Sequence, residues 1–173
     1  MGKIYVSKLT NCNIYVDGGQ TLGMAEEISL PEIKFKMAEH KALGMFGSTE
    51  FISGIEKMEA KIKWNSFNFD VFLKFANPFS NIKLMIRANH QLFESEGLVE
   101  EVPLVTHLLV SSKGFPLGNY KQHDNVEFES NLTVYKAKQE FDGQQVMEYD
   151  VLSNIFTVNG QDILSKYKAN IGA

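Results

Sequence analysis

Apolar residues recur at every second position through much of this chain, which commits it to strands with one buried face. The clearest run is Val126 to Lys138, where Val126, Phe128, Leu132 and Val134 point one way and Glu127, Glu129, Asn131 and Thr133 the other; Ser130 interrupts the apolar side. Shorter runs of the same kind are Leu22, Met24, Ile28 and Leu30; Ile33, Phe35 and Met37; Met58, Ala60, Ile62 and Trp64; and Ile82, Leu84, Ile86 and Ala88. Residues 102–110 are apolar on both faces, which predicts a central strand or one covered on both sides. Asp17-Gly18-Gly19 and Asp142-Gly143 supply the positive φ angles of tight hairpins between such runs. Pro31 bends the chain or starts an edge strand. A mainly β fold is expected.

One segment has helical spacing. From Phe67 to Ala76 the stripe is Phe69, Phe72, Leu73 and Ala76, widened by Val71 and Phe75, with Asn65 or Ser66 as the expected cap and Pro78 as the stop. This predicts a single helix packed on the sheet.

With 173 residues, 44% of them apolar, and four prolines, the chain can bury one ordered core without metal or disulfide staples. The lone Cys12 offers neither an internal disulfide nor a multi-thiolate site. Apolar stretches such as Leu108 to Val110 are far too short to cross a bilayer as a helix. Met1 to Thr10 carries Lys3 and Lys8 but no apolar block or cleavage site, so synthesis in the cytoplasm is expected. Charge is uneven: residues 1–90 hold eleven Lys/Arg and nine Asp/Glu (+2), and residues 91–173 hold six and twelve (−6). Nucleic-acid affinity rests on clustered cations, so direct binding is disfavoured.

Catalytic patterns are weak. His40, His90, His107 and His123 are scattered, there is no Gly-x-Ser-x-Gly elbow, and Gly44-Met45-Phe46-Gly47-Ser48-Thr49 lacks the lysine of a phosphate loop. The acidic pairs Glu26-Glu27 and Glu100-Glu101 put adjacent residues on opposite strand faces, so neither can be a glycosidase couple. Glu127, Glu129 and Asn131 do share a face, either as a row with a purpose or as ordinary solvated surface. The most unusual stretch is Ala38 to Gly54, glycine-bearing yet rich in Leu43, Met45, Phe46, Phe51 and Ile52. A loop that apolar is expected to cover itself, either against a partner or by folding back over its own core.

Several motifs, taken in order, resemble the major tail tube protein family of contractile-tailed bacteriophages, shared with the tubes of R-type pyocins. They are Leu9-x-Asn11-x-Asn13 leading into Ile14-Tyr15-Val16-Asp17-Gly18, then Ser29-Leu30-Pro31-Glu32-Ile33, Glu39, Gly44-Met45-x-Gly47 and Gly54-Ile55-Glu56-Lys57-Met58-Glu59-Ala60. Asp142-Gly143, Glu148-x-Asp150, Asn154 and Asn159-Gly160-x-Asp162 follow, so the likeness spans nearly the whole chain. Leu43 stands where the family commonly has a second glycine.

The resemblance implies a β-sandwich or barrel-like subunit, without catalysis or cofactor, that forms hexameric rings around a continuous inner β-barrel. The rings stack into a hollow tube inside a contractile sheath, in the virion tail after assembly in the host cytoplasm. It implies one domain over 1–173 with an inter-subunit loop at about 38–54, whose contacts would come from Leu43, Gly44, Met45, Phe46, Gly47, Phe51 and Ile52. Implied partners are the sheath protein, the baseplate tube initiator, the tape measure protein, the tail terminator, the target cell envelope, and double-stranded DNA sliding through without specific binding. Four strands from each of six copies, spaced ~4.8 Å and tilted ~40°, would close a wall about 48 Å across, wide enough for a duplex. An anionic or neutral wall suits sliding, which places Glu127, Glu129 and Asn131 on the lumen side or, alternatively, against the sheath. The tube of a headless bacteriocin is an alternative in the same class. A monomeric carbohydrate-binding β-sandwich, with exposed aromatics on its ligand face, is one from another class, and an enzyme with a cleft of scattered histidines and carboxylates is more distant.

Overall fold

The computed structural model describes residues 6–124 and 126–173. The stretch read for a secretory leader lies partly, at residues 1–5, outside them. In chain order the elements are β1 (Val6–Val16), β2 (Gly19–Gln20), β3 (Ala25–Ser29), β4 (Phe35–His40), β5 (Thr49–Ile55), β6 (Met58–Trp64) and α1 (Phe69–Phe75). They continue with β7 (Ile82–Glu94), β8 (Gly97–Ser112), β9 (Phe128–Phe141), β10 (Gln144–Asp150), β11 (Ile155–Val158), β12 (Gln161–Asp162) and α2 (Ser165–Ile171). The fold is mainly β.

One antiparallel sheet runs β12-β11-β10-β9-β8-β7-β1-β2, and β6 joins it along β9 and carries β3. β9 is the branch point: Phe128 to Val134 pair with β6, and Lys136 to Phe141 pair with β10. Between them the register with β8 slips at Tyr135, because Leu109 faces Lys136 while Val110 faces Val134. An extra residue in one strand bends it. The bend turns one edge from β6 toward β10, and the freed Tyr135 carbonyl accepts from Val151 N at 3.0 Å.

The alternation holds where it is strictest. Met58, Ala60, Ile62 and Trp64 of β6 are all buried, as are Ile82, Leu84 and Ile86 of β7 and Leu132 and Val134 of β9. Removing side chains of this size from water stabilises the fold by roughly 1.5–3 kcal/mol each. Ser130, the break in the β9 pattern, is 1% exposed and accepts the Trp64 indole N–H at 3.0 Å. It is the polar partner that a buried indole requires. β8 lies between β7 and β9, as a central strand should, but only one face is fully buried; Val105, His107 and Leu109 on the other are half-exposed.

Both Asp-Gly hairpins form, with Asp17 and Asp142 at φ 47° and 48° and the following glycines at 82° and 75°. The return strand after Asp17 is only the two residues of β2.

Four expectations need correction. The Leu22 to Leu30 strand shrinks to β3, because the register shifts between Ala25 and Glu27 and leaves Leu22 and Leu30 exposed. Two helices are present among the described residues, not one. α2 escaped notice because it is seven residues long, starts without a side-chain cap and buries nothing. α1 is capped by neither Asn65 nor Ser66 but by Asn68, whose side chain accepts from Val71 N at 3.1 Å. Finally, its stripe is rotated: Phe72 and Phe75 are buried against Trp64, while Phe69 and Leu73 face out.

Candidate assembly surface

Residues 38–54 do not form a loop folded over the body. They belong to a hairpin in which β4 and β5 pair only with each other, from Phe35 opposite Ile55 to His40 opposite Thr49. Glu56 N donates to Lys34 O at 2.8 Å and closes the base. There the Phe35 ring stacks on Phe156 with centroids 6.4 Å apart, which ties the hairpin to β11. Strand-forming residues explain the stem, and Gly44 at φ 85° lets the tip reverse direction.

The tip brings together Leu43, Gly44, Met45, Phe46 and Gly47, while Phe51 and Ile52 lie on the stem. Leu43 and Phe46 are 105% and 112% exposed, and Met37, Met45, Phe51 and Ile52 are exposed as well. Such a concentration of bare apolar side chains on one projecting element is the mark of an interaction surface. The ion pairs Lys34–Glu32 and Lys41–Glu39, at 3.6 and 3.0 Å, stay on the hairpin side of the chain and leave the tip uncharged.

Glu127, Glu129 and Asn131 are also brought together, on the outward face of the β3-β6-β9 ladder. Glu129 takes an ion pair from Lys61 at 2.9 Å, and that hydrogen bond holds its carboxyl below the ordinary range. Lys63, directly opposite Glu129, is bound to Glu27 at 2.8 Å. Further along β6, Glu59 accepts from Lys113 and Lys57, and these lower its pKa to about 2. The row of carboxylates expected from β9 alone is therefore one half of a face on which signs alternate and pair. Lys61 and Lys63 come from β6, more than 60 positions before Glu129, so the pairing is invisible along the β9 segment.

A second apolar surface surrounds α1, and the sequence reading passed over it. Phe67 packs on Phe72 and Phe128 with centroids 4.8 and 5.7 Å apart, and Phe115 meets Phe72 at 6.0 Å. Residues 113–120 meet this cluster through Phe115 and Gly118. Gly118, at φ 93°, rests so close to the Phe128 ring that any Cβ there would overlap it. Leu117 and Tyr120 are 79% and 77% exposed, and Leu117 lines a cleft of about 480 Å³ together with Trp64, Phe128 and the charged Glu26, Lys63, Glu127 and Glu129. The available signal was the crowding of Phe67, Phe69, Phe72, Phe75 and Phe79 into thirteen positions, more than one short helix can bury.

Among the described residues no cluster of His, Cys, Asp and Glu is placed to hold a metal ion. The tail tube protein of Escherichia phage P2 is 23% identical over 169 residues, covering 95% of this chain and 96% of that protein. Residues 6–172 match the family of the phage tail tube protein FII. With that match spanning nearly its whole length, the chain belongs to the phage tail tube protein FII family, a structural component of the virion tail.

Proposed function

We propose that six copies of this chain close into a ring, and that the rings stack into a hollow tube within a contractile sheath and conduct double-stranded DNA into the host cell. The observation that carries this reading is the β4–β5 hairpin, an apolar arm whose strands bond only to each other and whose tip leaves Leu43 and Phe46 fully exposed. Residues 1–173 act as one domain, and the arm at 38–54 is its contact with a neighbouring subunit or ring through Leu43, Gly44, Met45, Phe46, Gly47, Phe51 and Ile52. The sheath protein, baseplate initiator, tape measure protein and tail terminator meet the assembled tube, and its tip reaches the target cell envelope on contraction.

In the same proposal the face bearing Glu127, Glu129 and Asn131 lines the lumen. Lysines already bound to carboxylates have little to offer passing phosphates, so counterion release from DNA is small and the duplex slides. Purified protein at high concentration should give hollow tubes in negative-stain electron microscopy; lone subunits at every concentration would overturn the proposal. Particles carrying Glu127→Lys and Glu129→Lys together should still assemble, because both side chains lie at the surface, but should deliver DNA more slowly in a potassium-efflux or infection-rate assay. Unchanged delivery would remove these residues from the lumen.

A further inference from the structure

The arm joins the body through two short stretches, residues 30–34 and 56–57, that belong to no strand or helix. All six residues of β4 and residues 49–54 of β5 are exposed, so neither strand is packed along its length. Backbone pairing does not fix the arm to the body, because β4 and β5 bond only to each other, and the bond from Glu56 N to Lys34 O shuts the base without crossing over. Beneath it Glu32, Ile33, Lys34, Phe35, Met37 and Glu56 border an open hollow of about 540 Å³, which leaves the stem room to tilt. Short connections at the ends of regular elements are where hinges form. Among the described residues, the one ring contact from arm to body is Phe35 on Phe156, with centroids 6.4 Å apart and planes 29° from parallel. Phe156 is a firm seat. It is 8% exposed, pairs with Tyr149 across β10 and β11 and meets that ring edge-on at 5.6 Å, and Tyr149 in turn packs on the main core. Phe35 is 50% exposed. A core pair would be covered on both sides, whereas this one is fixed below and open above, as a releasable contact must be.

We infer that Phe35 on Phe156 is the catch of a hinge. While the ring is seated the arm leaves the body in one direction; when it lifts, the arm swings about residues 30–34 and 56–57 with its own hairpin intact. The hairpin survives because its ladder, from Phe35 opposite Ile55 to His40 opposite Thr49, does not involve Phe156. Ring–ring attraction alone shifts such a two-state equilibrium by up to about tenfold, so the seated form dominates and the lifted form stays within reach. The hinge stands on the subunit's own contacts, while its use rests on the proposed role of the arm: a hairpin already aimed loses less freedom on meeting its partner. Phe35 is thus a positioning residue, separate from the tip residues Leu43, Met45 and Phe46.

The test measures the direction of the arm in full-length soluble subunits, after any tubes are removed by sedimentation. Cys12→Ser clears the exposed native thiol, and spin labels on Glu50→Cys of the arm and Lys83→Cys of the body, both exposed positions, report one distance by pulsed dipolar spectroscopy. The parent should give a single narrow band. Phe35→Ala should broaden it, with the lifted fraction raised by up to about tenfold and the circular dichroism unchanged. Phe35→Tyr keeps the ring and should restore the narrow band, and Phe35→Leu stands in should Phe35→Ala fold poorly. An unchanged band in Phe35→Ala, or a broad one already in the parent, would overturn the catch, as would a Phe35→Tyr band as broad as that of Phe35→Ala. Tubes growing at the parent's rate from a broadened Phe35→Ala would keep the catch and reject its part in aiming the arm. Because the distances are read on soluble subunits, they decide the hinge even where no tubes form.

Discussion

A Phe46→Asp copy of this chain is expected to fold as the parent does and to remain unpolymerised. Phe46 has no neighbours to lose, being fully in solvent at the tip of a hairpin that pairs only with itself, so its replacement should move stability by less than about 0.5 kcal/mol. In the proposed tube the same position is covered. There the change removes an aromatic anchor and buries an unpaired carboxylate, and central contacts of this kind cost about 2–4 kcal/mol each when truncated. Every 1.4 kcal/mol is about tenfold in affinity, so one substitution repeated in all copies suffices to end growth at ordinary concentrations. Met45→Asp should act in the same direction and less strongly, since Met45 is only partly exposed at the tip. Light scattering and electron microscopy read the outcome. Unchanged tubes from Phe46→Asp would remove the arm from the interface.

Trp64→Ala should produce the largest loss of stability, about 3–5 kcal/mol. The side chain is 1% exposed and lies edge-on or tilted against Phe72 and Phe75, at 6.0 and 5.8 Å between centroids. These two rings are the only buried side chains of α1. A helix of seven residues cannot persist in water without docking, so removing the indole undoes the helix as well as the core beneath it. Ser130→Ala is the companion measurement. It keeps the packing but leaves the indole N–H buried without an acceptor, at a cost of about 1–3 kcal/mol. Urea unfolding followed by Trp64 fluorescence for Ser130→Ala, and by circular dichroism for both, supplies the values. A loss below 1 kcal/mol for Trp64→Ala would mean that the site collapses to fill the space.

The parts of the fold written in local sequence were legible. β6 alternates without interruption and both Asp-Gly turns bend the chain where glycine and aspartate allow it, so neighbouring residues alone determine the outcome. Where distant contacts decide, the reading slipped. Ser130 looked like a flaw until Trp64, 66 positions away, was seen to need it. The register shift after Ala25 shortened a strand whose apolar spacing looked regular. The arm was recognisable as an apolar stretch seeking cover, but not as a hairpin, because Leu43, Met45 and Phe46 crowd its tip and Phe51 and Ile52 are consecutive, which hides the alternation. Glu129 was visible as a carboxylate and invisible as half of an ion pair, since Lys61 reaches it only through the β6–β9 pairing. The aromatic surface was missed because helical spacing says which residues share a face and not whether that face is inward.

Two strands bonded only to each other are marginal in water, and the β4–β5 hairpin is such a pair. In the proposed assembly the remaining cost of fixing its tip falls at the moment of contact, and that cost weighs most when no template exists. The first layer should form reluctantly, whereas a finished end offers each arriving copy a ready mould. Elongation from a seed then outruns spontaneous initiation, and filament number is set by how many seeds are supplied rather than by how much protein is made.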